Sequence, residues 1–518
     1  MIKLFDTTLR DGTQSPNVNL SMRDKLEVVK ALDDFGIDYI ELGWPGSNKK
    51  DMDTFLEASK LNLKKSKIVA FGATRRVNLS AEQDPNLNDI LKSKANVACI
   101  FGKTWLEHVQ KQLKSGAENN IKAISDSIIF LKSKNLTVFY DLEHFFDGFK
   151  DNKEYAFSCI KTATEAGADC LVLCDTNGGT LPDELSKIIK QVQDYMKKEK
   201  LNTQLGIHTH NDSGCAVANT LVAFDLGIEQ IHGTINGFGE RAGNADLIQI
   251  IPNLAIKKKE NLDVKLEETK KLSNLLYTLA NIKPNSAQPY VGKNVFSHKG
   301  GIHVDAVSKG ASYEHIDPKI VGNLRKIVLS DLSGKASIVE VLKKFGIKTT
   351  KDDERVAKML AEVEKLENKG YDIGNLTSEQ HLLTEKFFGK NNSFFEIETW
   401  KVSSEQINGE RSESTITGEV NKKKETATAK VDGGPVDALY KALKNLLSPH
   451  HKNTENLKLV NYKVMIAQDK GAESSVRVYI KFKNEKEEWG TVGVSKNILE
   501  ASLEAIEKGF RYFLIKHR

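Results

Sequence analysis

The stretch Gln204-Leu205-Gly206-Ile207-His208-Thr209-His210-Asn211-Asp212 is a short apolar run ending in two imidazoles and a carboxylate. Residues two apart on extended backbone point to one face, so His208 and His210 are presented together. Two other apolar runs end in comparable fashion. Residues 2–5 lead into Asp6-Thr7-Thr8-Leu9-Arg10-Asp11-Gly12, and residues 230–235 lead into Gly239-Glu240-Arg241-Ala242-Gly243-Asn244. With Asp11 and Asn244, the histidines form a mixed nitrogen and oxygen donor set suited to a divalent cation that keeps open positions. Such a cation polarises carbonyl groups, so the chain is expected to be an enzyme.

Outward from that stretch, strand-like runs alternate with helical patterns eight times in roughly the first 255 residues. The runs are 2–5, 39–42, 68–71, 97–101, 136–140, 170–174, 204–208 and 230–235. Helical periodicity falls between them, as at 22–35, 121–131, 155–165, 185–196 and 216–226. Gly36, Gly167 and Gly227 follow such stretches where helix C-caps are expected. The pattern matches an α/β parallel barrel of the (β/α)8 TIM type, with an open doubly wound sheet as the alternative. The donor residues decide between them. Strands 7, 8 and 1 are consecutive only if the sheet closes, and their C-terminal ends then meet where barrel chemistry sits.

Each candidate has a structural competitor. A lone histidine is usually a hydrogen-bonded core residue, but two on one strand face beside Asp212 favour ligation. Asp11 competes as an ion-pair partner of Arg10, and Asn244 as a helix N-cap. Arg10, next to a donor carboxylate, is placed to stabilise an oxygen that gains charge. Glu143 ends strand 5 and Thr176 ends strand 6, positions that face a barrel mouth. Beyond the barrel, Phe296-Ser297-His298-Lys299-Gly300-Gly301-Ile302-His303-Val304-Asp305 offers His303 as an acid/base group.

At 518 residues the chain is expected to hold two or three domains. Residues 1–280 read as the catalytic barrel. Residues 281–392 read as a helical, loop-rich linker, expected to complete the active site if His303 acts there. Its charged helix follows Thr350, with Asp353 three positions on in the manner of a capping box. Residues 393–518 repeat a three-strands-then-helix pattern. Asp437, Ala438, Ala442 and Leu443 match Glu500, Ala501, Ala505 and Ile506 at a constant offset of 63. This predicts a βββα-repeat α+β domain for regulation or dimerisation.

A net charge of +5, from 75 basic and 70 acidic side chains, points to no nucleic-acid partner. The five cysteines show neither a paired framework nor zinc spacing, as expected of thiols in a reducing compartment. No signal peptide is visible, and no apolar run approaches the ~20 residues that span a bilayer. A soluble cytoplasmic protein without membrane partners is expected.

Phe5-Asp6-Thr7-Thr8-Leu9-Arg10-Asp11-Gly12-Thr13-Gln14, His208-Thr209-His210-Asn211-Asp212 and Asn236-Gly237-Phe238-Gly239-Glu240-Arg241-Ala242-Gly243-Asn244 resemble the signatures of the DRE-TIM metallolyase superfamily. Over essentially its whole length the chain resembles the Claisen-type synthases, which include isopropylmalate, homocitrate and citramalate synthases. Glu41-Leu42-Gly43-Trp44-Pro45-Gly46-Ser47-Asn48 and Glu143-His144-Phe145-Phe146-Asp147-Gly148 look most like the citramalate synthase branch. Isopropylmalate synthases usually carry Phe-Pro in place of Trp44-Pro45.

The resemblance implies that Asp11, His208 and His210, with Asn244, hold a divalent metal ion, Mg2+ or Mn2+, with Zn2+ as an alternative. It implies keto-acid contacts from Arg10, Gln14 and Thr176, a Tyr313 near the acetyl-CoA site, and catalytic roles for Arg10, Glu143 and His303. His303 would be supplied across a homodimer. The implied reaction joins acetyl-CoA, pyruvate and water into citramalate and CoA, with isoleucine as the expected inhibitor. 2-Isopropylmalate synthesis and a non-catalytic amino-acid-sensing homologue are the alternative readings. One departure stands out: Asp141 occupies a strand position where another citramalate synthase type places Tyr.

Overall fold

The computed structural model describes residues 2–298, 313–330, 333–374, 376–389, 394–406, 410–468 and 474–517. His303 lies outside them. The chain divides into two compact units, one of Met1–Val295 with Ile316–Leu324, the other of Phe296–His315 with Arg325–Arg518.

The first unit is a closed barrel of eight parallel strands in sequence order. These are β1 (Lys3–Asp6), β2 (Tyr39–Gly43), β3 (Lys67–Ala73), β4 (Val97–Lys103), β5 (Thr137–Glu143), β6 (Cys170–Asp175), β7 (Gln204–Thr209) and β8 (Gln230–Gly233). Closure is direct, since Lys3 to Asp6 pair in register with Gln230 to Gly233. Inward residues from several strands fill the interior. Phe5, Val69, Val97, Cys99, Phe139 and Val172 belong to one buried cluster, and Phe5 stacks on His232 with centroids 3.8 Å apart. β8 is shorter than the run 230–235, because the chain turns into a short 3-10 segment at Ile235–Gly237 with Asn236 in the left-handed region.

Several of the barrel's helices begin where side chains satisfy their free amides. Helix α1 (Met22–Phe35) has a capping box from Ser21 and Asp24 and ends on Gly36, whose φ of 110° only glycine adopts readily. Helix α2 (Lys49–Ala58) is capped by Asn48, and α3 (Pro85–Lys92) by Asp84 with proline at its first position. All three lie on the outside of the barrel's first strands and brace the loops at its mouth.

In the second unit, the short strands β9 (Ser297–His298) and β10 (Lys326–Ile327) pair in parallel. The helices Lys335–Lys344, Glu354–Asn368 and Thr377–Phe388 follow. The middle helix is capped by Asp353, which accepts from the Arg355 amide, and not by Thr350. An aspartate reaches the amide two residues on, so it caps where it stands, and no capping box forms. Ile338, Val341, Val356 and Met359 bury together with Val492, which joins these helices to the following module.

That module contains two antiparallel sheets. One is β11 (Phe395–Gln406), β12 (Glu410–Val420) and β13 (Lys423–Val431); the other is β14 (Lys458–Gln468), β15 (Ser475–Lys483) and β16 (Glu488–Ser495). Each is followed by a helix, Pro435–Leu447 and Ile498–Lys516, so the repeat at offset 63 is a repeat of structure. Leu439, Leu443, Phe482, Ile506 and Phe510 form its shared core. Among the described residues, no helix is long and apolar enough to cross a membrane.

Candidate metal centre and keto-acid cavity

The ends of β1 and β7, with the loop after β8, converge on one point at the barrel mouth. Asp11 Oδ2 lies 3.3 Å from His208 Nε2 and 3.7 Å from His210 Nε2. The two Nε2 atoms are 3.2 Å apart. The Asn244 amide nitrogen is 3.0 Å from Asp11 Oδ2 and 3.3 Å from His208 Nε2. All four residues are at least 95% buried. Asn244 caps no helix: the next one starts behind Asp246, and Asn244 instead bridges to His210 through the backbone.

This donor set fits a divalent cation. Asp11, His208 and His210 form a group whose donor atoms all lie within 4.8 Å of one another. Burial, reinforced by His208, pushes the His210 imidazole down to about 3, leaving it neutral with a lone pair to give. Burial raises the Asp11 carboxyl, but Arg10 and the histidines outweigh it and hold it well below the usual carboxylate range. Asn244 Oδ1 is buried without a protein partner. A Cβ at position 239 would stand 1.9 Å from that oxygen, so only glycine admits the amide. Amide orientation is assigned from hydrogen bonding, and a half-turn would bring Oδ1 to face the carboxylate and imidazoles at a bound cation.

Around this point lies a cavity of about 200 Å³. Arg10 enters it from the β1 loop. Its Nε donates to Glu41 at 2.6 Å, its Nη1 stands 3.2 Å from Asp11, and its guanidinium lies 3.8 Å over the Phe71 ring. Asp11, Gln14, Glu143, Thr176, His208 and His210 line the same cavity. Glu143 at the end of β5 is paired at 2.6 Å with Lys103, its register neighbour at the end of β4. Thr176 Oγ1 accepts the His144 amide at 2.9 Å, and its carbonyl accepts from Arg241 at 2.7 Å. Arg241 also grips Asp212 through two nitrogens, tying the loops after β6, β7 and β8.

Of the residues singled out from sequence, seven share this cavity and Asn244 joins them through Asp11 and His208. Tyr313 belongs to the other unit and is 52% exposed. Glu41, Asp141, Lys103 and Arg241 were not singled out as site residues. Glu41 and Lys103 stand at or near the C-terminal ends of barrel strands, and that position alone is the signal that could have found them. Burial raises both the Glu41 and the Asp141 carboxyls, so Arg10 carries much of the local charge balance.

Three family models cover the chain: HMGL-like over residues 1–276, the homocitrate synthase post-HMGL domain-like model over 290–371, and the LeuA allosteric (dimerisation) domain over 376–514. Barrel and appended domains together are those of a condensing acyltransferase. The (R)-citramalate synthase of Geobacter sulfurreducens is 43% identical over 100% of this chain and 98% of its own. That of Sulfolobus acidocaldarius is 42% identical over 99% and 97%. The 2-isopropylmalate synthase of Methanocaldococcus jannaschii is 30% identical over 99% and 95%. The chain belongs to the citramalate synthase family.

Proposed function

We propose that this enzyme condenses acetyl-CoA with pyruvate and water to give citramalate and CoA. The observation that carries the reading is the small cavity, with a carboxylate and two imidazoles at one side and three aromatic rings at the other. At about 200 Å³ it lies below the ~300 Å³ where ordinary ligand pockets begin, as suits a three-carbon acid.

In this reading Asp11, His208 and His210, with Asn244, hold Mg2+ or Mn2+. Such a cation, when bound, polarises the 2-oxo group of the keto acid. Thr176 already accepts the His144 amide, which leaves its own O–H to donate to the substrate carboxylate. Gln14, exposed at the rim, adds a polar contact. A base takes a proton from the acetyl methyl group, with Glu143 and His303 as candidates. The resulting enolate carbon attacks C2 of pyruvate, and the carbonyl oxygen gains the charge. Arg10, held by Glu41, faces that oxygen. Water then cleaves the thioester, releasing CoA and citramalate. Tyr313 is assigned to the acetyl-CoA side.

The appended domain makes the chain a homodimer and binds isoleucine as an inhibitor. Its two helices start behind Gly434 and Asn497, and a helix N-terminus favours a carboxylate. Inhibition requires that the ligand favour one state over another. Truncation after Asn392 should remove isoleucine sensitivity, and calorimetry that finds no isoleucine binding to the full chain would refute the sensing role.

The reaction itself is tested by CoA release with a panel of 2-oxo acids. Pyruvate should exceed 2-oxoisovalerate in kcat/KM by a large factor. Equal efficiency on the two would replace this reading with isopropylmalate synthesis.

A further inference from the structure

The cavity wall opposite the histidines is built of three rings from neighbouring strand ends: Trp44 after β2, Phe71 on β3 and Phe101 on β4. Trp44 meets Phe71 and Phe101 edge-to-face at 5.6 and 5.7 Å, and these two stack at 5.3 Å. A wall selects by size only when its rings cannot yield. Phe71 is pinned by the Arg10 guanidinium above it. Trp44 and Phe101 are both half-buried, but Phe101 is held in β4 whereas Trp44 sits in the loop beyond its strand, which leaves it the freest of the three.

Two hydrogen bonds remove that freedom. The Trp44 backbone amide donates to Asp51 at 3.1 Å. Its indole Nε1 donates to the side-chain oxygen of Asn86 at 2.7 Å. Asn86 is the second residue of α3, and its amide nitrogen donates in turn to the carbonyl of Ala73, the last residue of β3. An indole only donates and a carbonyl only accepts, so one amide orientation serves both. The close approach depends on Gly72. A Cβ there would stand 2.9 Å from Asn86 Oδ1 and 2.8 Å from Ile90 Cδ1. A residue that merely tied α3 to β3 would need the Ala73 bond alone; the second bond reaches a ring of the cavity.

We propose that Asn86 is a positioning residue for keto-acid selection: by fixing the Trp44 indole it sets the largest side chain the cavity accepts. The inference rests on the condensation proposed above. It is tested on the full-length, metal-supplemented enzyme by kcat/KM for pyruvate, 2-oxobutyrate and 2-oxoisovalerate. Asn86→Leu removes both bonds at similar size, and the preference for pyruvate over 2-oxobutyrate should fall about tenfold, the scale of one methylene in a tight pocket. Asn86→Asp keeps an acceptor for the indole and should retain more of the preference. Should the leucine variant fail to fold, Asn86→Ala carries the same reading. A loss shared equally by all three acids, leaving the ratio intact in folded variants, overturns the proposal and makes Asn86 structural. A wild-type enzyme with no preference for pyruvate overturns the functional reading along with it.

Discussion

At the barrel mouth Arg10 stands among three buried carboxylates, Asp11, Glu41 and Asp141, whereas in the C-terminal unit Lys508 lies between the buried Glu379 and the partly exposed Glu504. The second cluster is saturated. Glu379 accepts the Val492 amide and faces Lys508 at 3.3 Å. Glu504 accepts the Tyr371 hydroxyl and the Val494 amide, and Lys508 also donates to the Val492 carbonyl. The mouth keeps capacity in reserve: Glu41 Oε1 and Asn244 Oδ1 are buried without protein partners, and the His208 and His210 Nε2 atoms face each other and Asp11 across the centre. In this pair of clusters the structural one spends its valences internally, and the one at the mouth keeps some for a ligand.

The contrast can be broken by mutation, starting where the effect is largest. His208→Ala and His210→Ala should each lower kcat/KM about a thousandfold, or about 4 kcal/mol, with the barrel's circular dichroism retained. Near-normal turnover of either variant in chelator-treated buffer would end the metal-centre reading. Next, Glu41→Gln frees Arg10 from its partner and should lower kcat about a hundredfold, while the urea midpoint moves little, because the burial cost of Glu41 disappears with its charge. Lys508→Met should do the reverse, costing about 2 kcal/mol of stability and leaving kcat within about twofold. A large activity loss in the second variant, or a large stability loss in the first, would erase the distinction. Smallest is Thr176→Val, which removes the hydroxyl proposed to donate to the substrate carboxylate; KM for pyruvate should rise about tenfold with kcat changed less. An unchanged KM would move Thr176 from substrate contact to loop bracing.

The barrel was legible because its evidence is local. Each strand is an apolar run closed by turn residues, and the donors at the ends of runs 1, 7 and 8 require closure. The aromatic wall was legible in part: Trp44, Phe71 and Phe101 are strand-end positions that face one another once the order of strands is known. Asn86 was not, since its meaning lies in two bonds to residues 42 and 13 positions away. Glu41 and Lys103 were passed over for the same reason, their partners Arg10 and Glu143 lying 31 and 40 positions off. The miss at Thr350 was of another kind. Thr349 and Asp353 are in contact there, and which of several neighbouring polar residues caps a helix depends on backbone angles that sequence spacing does not specify.

The pairing of β1 with β8 also has a history within the life of each molecule. Asp11 and Asn244 are 233 residues apart. At translation rates of 5–20 residues per second, Asp11 leaves the ribosome roughly 10–50 s before its last partner is made. Until β7 is made, β1 is open on the side away from β2, and Asp11 has only Arg10 beside it, itself soon claimed by Glu41 on β2. The arginine proposed to face the substrate in the finished enzyme is therefore also the first counter-ion of the nascent one. A chain stalled before β8 presents a hydrogen-bonding edge to any neighbouring strand, which makes that stage of synthesis the one most exposed to aggregation.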